Sequence, residues 1–153
     1  MKVQRSFQKG DDHRGDLYLV PTPIGNLEDM TFRGVRILSE VSLILSEDTR
    51  HTIHLLNHYE INNRLESFHD HSSKAEADHY IRHLLDGKDI ALVSDAGMPL
   101  INDPGYPLVV EALEVGIHVI SLPGANAALT ALISSGLPIH QFAYYGFFPK
   151  NKQ

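Results

Sequence analysis

The feature that constrains this chain most is a succession of short apolar runs, each closed by turn residues and separated from the next by a helix-length segment. The runs are Leu17–Val20, Val41–Leu45, Leu65–Phe68, Ile90–Val93 and Ile117–Leu122. Their length and continuous apolar character suit strands buried on both faces of a parallel sheet. The segments Thr31–Ser39, Thr49–Tyr59 and Ala125–Ser135 have the length of helices. Two more carry explicit boundary signals. Ser73-Lys74-Ala75-Glu76 is a capping-box pattern, followed by Ala77, Tyr80, Ile81, Leu84 and Leu85 in steps of three and four, and then Gly87. Pro107 stands in the first turn of the other, with Val109, Val110, Ala112 and Leu113 inside it and Gly116 at its end. Strand and helix alternate five times. This order predicts an α/β domain with a mostly parallel five-stranded sheet and helices on both faces.

The ends do not follow this rhythm. Residues 1–16 read as a flexible polar tail with four basic residues, Lys2, Arg5, Lys9 and Arg14. Residues 17–136 carry the α/β domain. After Gly136-Leu137-Pro138 comes an aromatic run, Phe142-Ala143-Tyr144-Tyr145-Gly146-Phe147-Phe148. It is expected to be the first strand of a missing second α/β domain, so that residues 137–153 are the start of a truncated unit.

Composition removes several classes of function. With no cysteine among 153 residues, disulfides, thiolate zinc sites and cysteine nucleophiles are excluded. Thirteen basic against nineteen acidic residues give a net charge of −6, which argues against coating nucleic acid through a global field. No apolar run approaches the ~18–20 residues needed to span a bilayer. The first sixteen residues contain no signal-peptide core. A cytoplasmic location with no membrane partner is expected.

In an open parallel sheet, ligands bind beyond the carboxyl ends of the strands. The segments that follow the runs are Pro21-Thr22-Pro23-Ile24-Gly25-Asn26, Ser46-Glu47-Asp48-Thr49-Arg50, His69-Asp70-His71-Ser72, Ser94-Asp95-Ala96-Gly97-Met98-Pro99 and Pro123-Gly124-Ala125-Asn126-Ala127. Each alone is ordinary turn chemistry. All five at one sheet edge favour a binding site. There is no G-x-x-x-x-G-K-[ST] and no G-x-G-x-x-G after the first run, against a P-loop or a dinucleotide fingerprint. Glycines 25, 97, 105 and 124 let a ligand approach the backbone, Asp95 offers an acceptor for a hydroxyl or amine, and a helix start at 125–128 offers free N–H groups to a carboxylate. A nucleoside joined to an amino acid fits such loops, though physics alone does not choose the ligand.

The string Leu17-Tyr18-Leu19-Val20-Pro21-Thr22-Pro23-Ile24-Gly25-Asn26-Leu27-Glu28-Asp29 resembles the opening of the tetrapyrrole methylase-like family of S-adenosylmethionine-dependent methyltransferases. Glu47-Asp48-Thr49-Arg50-His51, His69-Asp70-His71, Val93-Ser94-Asp95-Ala96-Gly97 and Pro99-Leu100-Ile101-Asn102-Asp103-Pro104-Gly105-Tyr106 are similar to one branch of it. That branch 2′-O-methylates the ribose of a cytidine in the decoding region of small-subunit (16S) rRNA. The resemblance runs from about Leu17 to Lys150, with the motifs in the same order. It implies a two-domain homodimer that needs no metal, holds S-adenosyl-L-methionine between its domains and acts on rRNA within the ribosomal subunit. Carried over residue by residue, it implies cofactor contacts from Pro23, Ile24, Ser94, Asp95, Ala96, Gly97, Pro123, Gly124 and Ala125, and from Phe142 and Tyr144 in the aromatic segment. Three departures stand out. Gly97-Met98-Pro99 replaces a usual Gly-Thr-Pro, Ala125-Asn126 follows Pro123-Gly124 where the family usually has a further proline, and the family is nearly twice this length. The chain thus reads as a truncated or decaying copy, or a cut length, of a longer enzyme, and the fragment itself is expected to be inactive or only partly active.

Transfer of a methyl group to a ribose hydroxyl requires positioning and is helped by a base. Glu47, Asp48, Arg50, His69 and Asp70 are the candidates on the substrate side, with Arg50 for a phosphate and a carboxylate or His69 for the proton. The competing reading is that Asp48 or Thr49 caps the following helix and Arg50 pairs with it. Relatives within the fold that methylate a tetrapyrrole or corrin, or the diphthamide precursor of an elongation factor, are a second expectation, disfavoured by the Glu47–His51 and His69–His71 strings. A third comes from His51, His54 and His58, which fall on one helix face ahead of His69-Asp70-His71. They would suit a His/Asp metal-dependent hydrolase, but H-E-x-x-H spacing is absent. The fourth is a non-catalytic remnant that binds cofactor or dimerises through apolar surface.

Overall fold

The computed structural model describes residues 13–69 and 74–147. Most of the basic tail, Asp70, His71, the Ser73 cap and Phe148 onward lie outside the described residues. The elements are β1 (Leu17–Val20), α1 (Phe32–Glu40), β2 (Leu43–Ser46), α2 (Thr49–His58), β3 (Leu65–Ser67), α3 (Lys74–Leu85), β4 (Ile90–Val93), α4 (Tyr106–Glu114), β5 (Val119–Ser121) and α5 (Ala127–Ser134). A single 3-10 turn, Leu27–Asp29, follows β1.

All strand pairings are parallel, in the order β3-β2-β4-β1-β5. Every residue of β1, β2 and β4 is buried. Side chains alternate across the sheet, as the two-residue period requires. Leu17, Leu19, Leu43, Leu45, Ile90 and Leu92 pack with Tyr80, Ile81 and Leu84 of α3 and Leu108 and Ala112 of α4. Tyr18, Val20, Ile44, Ala91 and Val93 pack on the other face with Ile37 and Leu38 of α1 and Leu56 of α2. Helices thus cover both faces, as the sequence predicts.

The ends of the elements shift for local reasons. The Val41 N–H donates to Ile37 O at 3.0 Å and closes α1, so β2 starts later than the apolar run does. The Ile117 N–H does the same for α4 through Ala112 O at 2.8 Å, and β5 begins two residues on. Asn126 accepts from the Leu129 N–H at 2.9 Å, which makes it the cap and starts α5 at Ala127 instead of Ala125.

Two features stand apart from this core. No residue of α5 is buried. The aromatic segment, expected as a strand, forms none over its described residues 142–147. A strand needs an edge to pair with, and this segment lies near Asn102 rather than along β3 or β5.

Candidate functional site

The strand order creates the site. From β1 the chain crosses toward β2, and from the neighbouring β4 it crosses the opposite way toward β5. Connections that part in this manner leave a crevice beyond the carboxyl ends of the two strands. Here the floor of the crevice is stitched together. Thr22 and Gly97 exchange two backbone hydrogen bonds, at 3.0 and 2.9 Å. The Thr22 hydroxyl donates to Ser94 O at 3.0 Å, and the Ser94 hydroxyl donates to Gly97 O at 2.9 Å. Gly97 sits at φ +84°, and a Cβ there would lie 3.2 Å from Ile24 Cδ1. A side chain would be strained and would press into the space beside Ile24.

That space is a cavity of about 480 Å³. Ile24, Ala96, Gly97, Met98 and Ile101 form one wall; the start of α5 with Leu129, together with Phe142 and Tyr144, forms the other. The Asn102 amide donates to the Tyr144 hydroxyl and so pins the aromatic segment to the loop after β4. The lining combines apolar side chains with the first N–H groups of a helix, Ala127 and Ala128, which intrahelical bonding leaves unsatisfied. Both size and lining match a small-molecule site.

A second, polar cavity of about 240 Å³ lies on the α2 side of the same loops. Thr22, Pro23, Asn26, His51, His54 and Asp95 line it. The Asp95 carboxylate is held from α2: Oδ1 accepts the Asp48 N–H at 3.3 Å, and Oδ2 lies 3.3 Å from His51 Nδ1. A third cavity, about 530 Å³, adjoins Ile24 and is lined by Gly124, Ala125, Asn126, Thr130 and Asp29.

The residues expected from the sequence distribute themselves unevenly over this geometry. Ile24, Ala96, Gly97, Phe142 and Tyr144 meet at the first cavity. Pro23, Ser94 and Asp95 line the second, with the Ser94 hydroxyl spent on its own loop. Gly124 and Ala125 line the third, while Pro123 is exposed and borders none of the three. On the substrate side, Glu47 and His69 are exposed and line none of these cavities. Asp70 lies outside the described residues. Asp48 caps α2 by accepting the Arg50 N–H at 2.9 Å, and Arg50 NH2 pairs with its carboxylate at 2.7 Å. Hydrogen bonds from the Arg50 side chain and backbone pull the Asp48 carboxyl down to about 2. The capping reading therefore accounts for this pair. Leu129 lines a cavity without having been singled out; Met98, noted only as a departure in its loop, lines the first, and His51 and His54, expected only as metal ligands of a hydrolase, line the second. For His51 the signal is its place in the first turn of the helix after β2, the strand beside β4. Among the described residues, no group of three or more His, Asp or Glu side chains is placed to hold a metal ion. No helix among them is long and apolar enough to cross a membrane.

Comparisons with known proteins bear on the family and the fold. The family described as Tetrapyrrole (Corrin/Porphyrin) Methylases matches residues 16–148. A protein of Halalkalibacterium halodurans named "Ribosomal RNA small subunit methyltransferase I" is 56% identical over 153 residues, covering 100% of this chain and 53% of its own length. The protein of the same name from Escherichia coli O157:H7 is 53% identical over 145 residues, 95% of this chain and 51% of that one. The chain spans about half the length of the curated relatives it matches. Among solved structures, uroporphyrin-III-C-methyltransferase from Thermus thermophilus superposes with a TM-score of 0.61 at 24% identity, over 82% of this chain and 54% of the other. That likeness speaks for the fold.

Proposed function

The chain belongs to the tetrapyrrole (corrin/porphyrin) methylase family, and from that premise we propose that it is the cofactor-binding half of an S-adenosylmethionine-dependent rRNA methyltransferase. The substrate in this reading is the ribose 2′-hydroxyl of a cytidine in the decoding region of small-subunit rRNA, presented within the ribosomal subunit. The observation that carries the proposal is the cavity between the Ile24 and Gly97 loops and the start of α5, in a chain 50–56% identical to proteins named "Ribosomal RNA small subunit methyltransferase I".

The residues present fit the cofactor. Ile24, Met98 and Leu129 give an adenosine apolar walls, and Gly97 leaves its backbone open at the position a Cβ would fill. The N–H groups of Ala127 and Ala128 suit the methionine carboxylate. Phe142 and Tyr144 close one side. Pro23, Ser94, Asp95, Pro123, Gly124 and Ala125 shape the loops around this pocket and belong to the same binding reading. When bound, the cofactor supplies a methyl group activated on a sulfonium. What the chain must add is position and the exclusion of water. The Thr22–Gly97 bridge, together with the Thr22 hydroxyl on Ser94 O and the Ser94 hydroxyl on Gly97 O, holds the two loops together and so supports that reading. A homodimeric, cytoplasmic enzyme is part of the same reading.

The test is transfer of label from S-adenosylmethionine to small ribosomal subunits that lack the modification. Label recovered as 2′-O-methylcytidine after nuclease digestion supports the proposal. Label on a base, or on protein alone, contradicts it.

A further inference from the structure

The polar cavity beside α2 contains a pairing that the methyltransfer reading leaves unused, and the inference drawn from it rests on that reading. We propose that His51 is the general base for the acceptor hydroxyl and that Asp95 is the positioning residue that orients it. Three observations converge. His51 turns Nδ1 toward Asp95 Oδ2 at 3.3 Å, across 44 residues of sequence. The carboxylate is braced from behind by the Asp48 N–H on Oδ1. His51 and Asp95 both line the second cavity, whose wall is the loop pair that also bounds the proposed cofactor pocket.

A carboxylate that accepts from Nδ1–H holds a neutral imidazole in the tautomer whose Nε2 carries a lone pair. No partner for His51 Nε2 occurs among the described residues. A separation of 3.3 Å is long for such a bond, and catalytic hydrogen bonds in ligand-free sites commonly tighten on binding. His54 lines the same cavity with no carboxylate contact among the described residues, so of these two histidines it is His51 that is oriented for the task. Of the described residues the sequence favoured for the proton, Glu47, Asp48 and His69, none lines either cavity.

The step balances without a further reactant. His51 Nε2 takes the 2′-O–H proton while the oxygen's electron pair forms the bond to the methyl carbon and the C–S electron pair returns to sulfur. The proton then leaves Nε2 for solvent.

The experiment is long-range ¹H–¹⁵N correlation of the imidazole rings in the labelled 153-residue chain, recorded at mildly alkaline pH and assigned with His51→Gln. The expected spectrum shows His51 as the Nδ1–H tautomer, shifting toward Nε2–H in Asp95→Asn. Cytidine 5′-monophosphate, added with and without S-adenosylhomocysteine, is expected to move the His51 Nε2 signal in at least one of these conditions. The 2′-deoxy nucleotide is expected to move it less, and neither should move His79 or His83 on α3. An Nε2–H tautomer in the unaltered chain overturns the pairing. A correct tautomer that the ribonucleotide never perturbs, or that both nucleotides perturb equally, overturns the role as base. Failure of the cofactor reading is separately visible, as absent S-adenosylhomocysteine shifts at the Gly97, Ala127 and Ala128 amides.

Discussion

β4 and α5 are both apolar, and they meet opposite fates. All four residues of Ile90–Val93 are buried, and they pair with a strand on each side. In α5, AALTALIS, none is buried, and Ile133 is 70% exposed. The difference lies in what each element has to lie against. β4 is central to a sheet with helices on both faces; α5 follows an edge strand and faces, across open cavities, the loops after β1 and β4 and the aromatic segment. The proposed cofactor pocket sits on the seam between the two regimes. One wall is locked by the Thr22–Gly97 bridge, and the other is an exposed helix plus an aromatic segment.

The contrast predicts a graded set of outcomes. Leu92→Ala, in the middle of β4, should cost about 2–5 kcal/mol of stability, measured by urea unfolding. A loss below ~1 kcal/mol would mean that the sheet is not the self-sufficient part. Gly97→Ala forces a side chain into left-handed backbone and toward Ile24, at a cost of about 1–2 kcal/mol. It should also weaken S-adenosylhomocysteine binding by at least about tenfold, a loss readable by titration. A smaller effect follows from Asp48. Its folded carboxyl titrates near 2, below the ordinary value of about 3.9, so its stabilisation is present above that ordinary value and is lost as pH falls toward 2. Asp48→Asn keeps a capping acceptor and removes the charge. It should lower the thermal midpoint slightly near pH 6 and by clearly less near pH 2, where about half of the folded carboxyl is protonated, and equal losses at both would contradict the Arg50 pairing. Last, Ile133→Ser on α5 should change stability by no more than about 0.5 kcal/mol. A core-sized loss there would show that α5 is packed after all.

The sheet was legible because its signal is local. Runs such as Ile90–Val93 are buried on both faces, so continuous apolarity marks them directly. The boundaries were less so, since Val41 and Ile117 are apolar in sequence yet use their N–H groups to close the preceding helices. Convergence of the Ile24 and Gly97 loops was legible from the rule for parallel sheets together with the glycines. The His51–Asp95 contact was not, because it depends on β2 lying beside β4, and strand order is not written in any short stretch of residues. The aromatic segment shows the converse failure. Phe142 to Phe148 has strand propensity, but pairing requires an available edge, and Tyr144 is instead bonded to Asn102.

The central claim is that the seam between the locked loops and α5 holds the cofactor. Calorimetric titration of the folded 153-residue chain with S-adenosylhomocysteine tests it most directly. Saturable one-to-one binding, weakened in Gly97→Ala and retained in Ile133→Ser, is the predicted result. No saturable binding by a chain whose cooperative unfolding shows it to be folded, or binding indifferent to Gly97, would contradict it.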